Sequence, residues 1–153
     1  MNPVLKVLLI EDNKRDIVLF KKALQETKLD KEISLIILTN GKDAVDYISG
    51  KDKFSDRDKF SIPDLIVLDL TLPLVHGFDV LKTIKSNKET ETIPVTIFSV
   101  SNLKEDIEQS LKLGADRYEI KPLSFKGFTE KIKEIIDSFK NLKINREKNN
   151  EWE

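Results

Sequence analysis

The chain has 153 residues, enough for one domain with a real core and too few for a second sizeable one. Lys plus Arg (26) and Asp plus Glu (27) nearly cancel, so the net charge of −1 gives no global field to recruit nucleic acid or an anionic membrane. The absence of cysteine excludes disulfides, thiolate nucleophiles and cysteine-based zinc sites, and with no apolar leader or membrane-length run the expectation is a soluble cytoplasmic protein.

Short β-branched runs begin near Val4, Ile33, Leu65, Val95 and Arg117, and the segments between them carry apolar residues at helical spacing. This is the βα alternation of a parallel sheet with five strands. The first helix, about Lys14 to Glu26, puts Ile17, Phe20 and Leu24 on one face. Asn40-Gly41 marks a turn before the second helix, and the polar stretch from Gly50 to Pro63 is expected to be a loop. Pro73 and Gly77 bracket another loop, and Asn102 followed by Glu105 resembles a capping box opening the fourth helix. The fifth run, Arg117 to Ile120, alternates Tyr118 and Ile120 with charges, as an edge strand does. The last helix, about Phe125 to Phe139, aligns Phe125, Phe128, Ile132, Ile135, Ile136 and Phe139. Residues 1–140 are thus one domain, and 141–153 read as a polar, disordered tail whose Trp152 is either mobile or an anchor on a neighbouring chain.

Three of the strands end in polar residues suited to phosphoryl chemistry: Glu11-Asp12 after Leu8-Leu9-Ile10, Asp69 after Ile66-Val67-Leu68, and Lys121-Pro122 after Tyr118-Glu119-Ile120. Parallel strands line up their carboxy ends, so these groups meet at one rim. Three carboxylates in a partly desolvated cleft demand a cation, and all-oxygen ligands point to Mg²⁺. Asp69 stands alone after a central strand and is the candidate nucleophile, since a carboxylate can form an aspartyl phosphate. Lys121 would pair with one phosphoryl oxygen and the hydroxyl of Ser99 with another. Lys121-Pro122 is a candidate for a cis peptide that aims the lysine inward. Each residue alone has a plainer reading: an acid capping a helix, a loop serine, a solvated lysine, and for Tyr118 a ring packed on a helix. His76, the sole histidine, has no ligand cluster around it.

Taken together, Glu11-Asp12, Asp69 with Leu72-Pro73 and Gly77, Ser99 and Lys121-Pro122 resemble the receiver domain of two-component response regulators, over about Val4 to Phe139. The long loop before the third strand is similar to that of single-domain regulators of the phytochrome-associated type. The resemblance implies a doubly wound, flavodoxin-like α/β fold with strand order 2-1-3-4-5. It implies that Asp69 accepts a phosphoryl group from a sensor histidine kinase, with Mg²⁺ held by Asp12 directly, by Glu11 largely through water, by Asp69 and by the backbone carbonyl of Thr71. Ser99 and Tyr118 match the switch pair, and Ser99 and Lys121 bind the phosphoryl group. The implied activity is limited to the domain's own phosphorylation and dephosphorylation. Its output would be phosphorylation-dependent binding of a downstream protein, or of a second copy, through the face of helix 4, strand 5 and helix 5. Val100, next to Ser99, is bulkier than the small residue usual there and is expected to restrict access to Asp69.

Three other classes are weaker. A phosphatase of the haloacid dehalogenase type needs a second acid where Thr71 stands, and a flavin or nucleotide carrier needs a glycine-rich phosphate loop that follows none of the strands. A receiver-like binding module that never takes phosphate has only Val100 in its favour.

Overall fold

Short strands buried on both faces build the centre of the molecule. In the computed structural model, which describes the backbone of residues 4–150 and side chains as far as Lys143, five strands run parallel. They are β1 (Leu5–Ile10), β2 (Ile33–Leu38), β3 (Leu65–Leu68), β4 (Val95–Ser99) and β5 (Arg117–Ile120), in spatial order 2-1-3-4-5. The expected fold is therefore the observed one. Val7 and Leu9 of β1 and Leu65 and Val67 of β3 face one side, against Phe20 and Leu24 of α1 (Lys14–Glu26) and Phe128, Ile132 and Ile136 of α5 (Phe125–Asn150). Leu8, Ile10, Ile66 and Leu68 point the other way, onto Ala44 and Ile48 of α2 (Gly41–Ser49) and Val80, Leu81 and Ile84 of α3 (Gly77–Ser86). Both faces of the central strands are covered, which is why they read as continuous apolar runs. β5 is an edge: Arg117, Tyr118 and Glu119 are only partly buried and Ile120 is exposed.

Two glycines allow the loop between β3 and α3 to close on the sheet. Gly77 donates its N–H to the carbonyl of Leu70 (2.9 Å), and a Cβ at Gly77 would stand 2.5 Å from the Leu70 Cα. Gly41 likewise donates to the Pro73 carbonyl (3.0 Å), and a Cβ there would overlap the Val75 carbonyl oxygen. The Gly77 contact lies directly against the strand end that carries Asp69, whose carbonyl oxygen a Cβ there would approach to 2.8 Å.

Three expectations need correction. The stretch from Gly50 to Pro63 is not a bare loop: it contains a 3₁₀ turn (Asp52–Phe54) and folds Phe54 and Phe60 against Tyr47, with ring centroids 5.2 to 6.1 Å apart. Arg57 in this segment donates to the carbonyls of Tyr47 (2.7 Å) and Ile48 (2.9 Å), capping the otherwise unsatisfied end of α2. α4 (Lys104–Lys112) begins without a capping box, because its N-cap is Leu103 and no side chain caps it directly. Ser101 braces the turn instead, accepting from the Leu103 N–H (3.3 Å) and donating to Asp106 (2.6 Å).

The third correction concerns the tail: α5 continues through Asn150 rather than giving way to disorder after residue 140. No Gly or Pro interrupts residues 140–150, and a helix already nucleated against the sheet gains one hydrogen bond per added residue even when its side chains are polar. Trp152 lies outside the described residues. Gly77→Ala should lower stability by about 1–3 kcal/mol, because the start of α3 must back away from Leu70; urea unfolding with an unchanged m-value would register it.

Candidate functional site

Register delivers the rim. Ile10 is opposite Leu68, so Glu11 and Asp69 leave the sheet at the same level, while the register through β4 (Leu68 opposite Ile97, Ser99 opposite Ile120) puts Lys121 two residues further along the same rim, from where its long side chain reaches back. The ladder extends one step further to hold them: Glu11 donates its N–H to the Leu38 carbonyl (3.0 Å), Asp69 to Ile10 (3.0 Å) and Lys121 to Ser99 (2.8 Å). Residues distant in sequence are thereby fixed by backbone before their side chains interact.

The Lys121 ammonium sits at the centre. It donates to Glu11 Oε2 at 2.6 Å, Asp16 Oδ2 at 2.8 Å and Asp69 Oδ2 at 3.1 Å, matching its three protons to three carboxylates. Glu11, Asp69 and Lys121 are 3%, 7% and 8% exposed, so these are interior charges that require one another. Burial and the nearby Asp69 carboxylate push the Glu11 carboxyl up to about 7, against the opposing pull of Lys121. Burial disfavours the charged Lys121, yet the surrounding carboxylates outweigh it and raise its pKa.

Asp12 is exposed at the mouth. It offers a carboxylate oxygen that lies, with one each from Glu11 and Asp69, in a group whose members are all within 4.8 Å of one another. Such an all-oxygen donor set fits a hard divalent cation. Thr71 faces the same opening, and its N–H reaches Asp69 Oδ1 at 3.5 Å, the outer limit of a hydrogen bond. Ser99 is buried at the end of β4, where its Oγ accepts from the Ser101 N–H (3.3 Å). Tyr118 is half-buried and donates its hydroxyl to the Ser101 carbonyl (2.8 Å), so the candidate switch residues converge on one short loop. Val100, between Ser99 and Ser101, is 70% exposed at the mouth.

The cis-peptide expectation is corrected. The Lys121–Pro122 bond is trans, as are all peptide bonds among the described residues. Trans is the lower-energy form even before proline, and Lys121 reaches the acids from it without help. Asp16 was legible only as an ordinary acid in the first turn of a helix; the one available signal is that this helix opens directly after Glu11-Asp12, which puts its first turn beside the rim. His76 proves to be the N-cap of α3, its Nδ1 accepting from the Phe78 N–H (3.0 Å).

Comparison with known proteins decides the family. The sequence matches the response regulator receiver domain family over residues 7–133. The chain belongs to that family. It is 33% identical over 138 residues to the response regulator Rcp1 of a Synechocystis strain, covering 90% of each chain. Among solved structures, the phosphorylated cyanobacterial phytochrome response regulator RcpA superposes with a TM-score of 0.79 at 32% identity, covering 86% of this chain and 91% of that one. The Mn²⁺-bound form of Rcp1 gives 0.76 at 30% identity, covering 85% and 90%. This receiver is thus a signalling domain of two-component systems, a class that implies a histidine kinase as phosphodonor and a downstream target. No helix among its described residues is long and apolar enough to cross a membrane.

The raised Glu11 pKa gives the site a pH signature. Between its ordinary value of 4.5 and about 7, the folded receiver holds a proton that the unfolded chain releases. The Glu11 contribution to stability is therefore complete below 4.5 and lost as pH rises through about 7 in the metal-free protein. A divalent cation held by this group would need the ionised form, so, should Mg²⁺ bind here, calorimetry in buffers of different protonation enthalpy would detect proton release near about pH 6 and little near about pH 8. Glu11→Gln should abolish that difference.

Proposed function

We propose that Asp69 is the phosphoacceptor of this receiver and that it takes the phosphoryl group from the phosphohistidine of a sensor histidine kinase. The observation that carries the reading is the Asp69 carboxylate itself. It lies within 4.8 Å of the Glu11 and Asp12 oxygens and is hydrogen-bonded to the Lys121 ammonium. One Asp69 oxygen forms the new O–P bond while the P–N bond breaks and its electron pair returns to the imidazole. Glu11, Asp12, Asp69 and the Thr71 carbonyl would hold Mg²⁺, which when bound supplies charge neutralisation and orients the phosphoryl oxygens. The description of Rcp1 in a Mn²⁺-bound form and of RcpA in a phosphorylated form supports both halves of this assignment.

Lys121 has an ammonium to turn from carboxylate to phosphoryl oxygen, and Ser99 has a hydroxyl whose proton is free to donate to another. Moving Ser99 pulls on the Ser101 segment, to which the Tyr118 hydroxyl is bonded, and so carries the change outward to β5. The face of α4, β5 and α5 beyond it exposes Leu103, Leu111, Ile120 and Phe125. This apolar patch is the proposed output surface, for a downstream protein or a second copy of the chain. Hydrolysis of the acyl phosphate at the same site would reset the receiver, and Val100 at the mouth is placed to slow the approach of water.

With acetyl phosphate and Mg²⁺, intact-mass analysis should show one added phosphoryl group on the wild type, none after chelation, and none on Asp69→Asn. Equal labelling of Asp69→Asn would move the acceptor elsewhere, and an unlabelled wild type would remove the assignment. Sedimentation before and after labelling tests the second-copy output, which predicts a larger particle only when phosphorylated.

A further inference from the structure

We infer that Asp16 is a positioning residue for phosphoryl transfer: it is the tether that keeps the Lys121 ammonium beside Asp69 once the metal has drawn on the other carboxylates. The inference rests on the assignment of Asp69 as phosphoacceptor. Three carboxylates share Lys121, but they are not equivalent. Glu11 and Asp69 belong to the group able to hold a cation, and Asp69 also gives up an oxygen to phosphorus; Asp16 belongs to neither process.

The remaining contacts of Asp16 are those of a fixed anchor. Its backbone N–H is held by the Asn13 side chain (3.1 Å), and the Asn13 N–H in turn is held by Glu11 Oε1 (3.0 Å), which ties the first turn of α1 to the rim. Its side chain is only 15% exposed and its oxygen lies 2.8 Å from the lysine nitrogen. A negative charge in the first turn of a helix is favourable in its own right, which helps to hold this carboxylate in place. A bound cation beside Lys121 repels the ammonium and competes for Glu11 and Asp69 oxygens. The Asp16 carboxylate, which is not a member of the group able to hold the cation, would oppose that displacement. It leaves the ammonium with two further protons for phosphoryl oxygen.

The test uses the full chain and compares wild type with Asp16→Ala, Asp16→Asn and Asp16→Glu. At saturating acetyl phosphate and Mg²⁺, Asp16→Ala should be labelled about tenfold more slowly, a loss of the size expected when a reacting group is poorly held. Mg²⁺ affinity by calorimetry should remain that of wild type, and Asp16→Glu should recover part of the rate. The ¹⁵N-ammonium resonance of Lys121 in the Mg²⁺-loaded protein should be sharp in wild type and broaden in Asp16→Ala. Should Asp16→Ala fold poorly, Asp16→Asn keeps the volume while removing the charge, and the same split between rate and affinity applies. Labelling of the variants at or above the wild-type rate, or loss of rate in parallel with Mg²⁺ affinity, would overturn the tether. An unlabelled wild type would instead strike the phosphoacceptor assignment, and this inference with it.

Discussion

One buried ammonium organises this receiver. Lys121 comes from the edge of the sheet, Glu11 and Asp69 from its middle, and Asp16 from a helix, yet all three carboxylates lie within hydrogen-bond distance of the lysine nitrogen. Interior charges are tolerable only in mutual contact, so the fold cannot shift one strand end without leaving an ion unpaired. The neutralisation is incomplete, because one cation faces three anions with Asp12 beside them. The surplus negative charge suits a divalent cation, and, after burial itself, it is why the Glu11 carboxyl is pushed up in the metal-free protein.

Much of this was readable before any coordinates. Strand ends announce themselves where an apolar run stops at an acid or a lysine, and parallel topology brings those ends together without further information. Glu11, Asp12, Asp69 and Lys121 were found in that way. What escaped detection depends on direction rather than residue type. Asp16 looks like any acid opening a helix, and only the angle at which α1 leaves β1 turns it toward Lys121. His76 gave no metal signal and indeed has a capping task, which needs the turn geometry to be seen.

Composition misled in two places for opposite reasons. Between Gly50 and Pro63 the charges concealed Phe54 and Phe60, whose burial depends on Tyr47 from a different element, and Arg57, which serves backbone carbonyls of α2. After Phe139 the polarity was real but did not imply an irregular chain, since helix extension asks only for compatible residues and a formed turn to grow from.

The shallow seating of α4 has a mechanical consequence. Ser110 is its only buried residue, whereas α2 and α3 each bury four, and the uncapped start of α4 is braced through Ser101. Cooperative units with little apolar anchorage open at low free energy, so α4 is the compliant spring of an otherwise stiff frame. A tug of a fraction of an ångström at Ser101 meets least resistance there, and amide protons along α4 should be the first of the sheet-covering helices to trade with solvent deuterium.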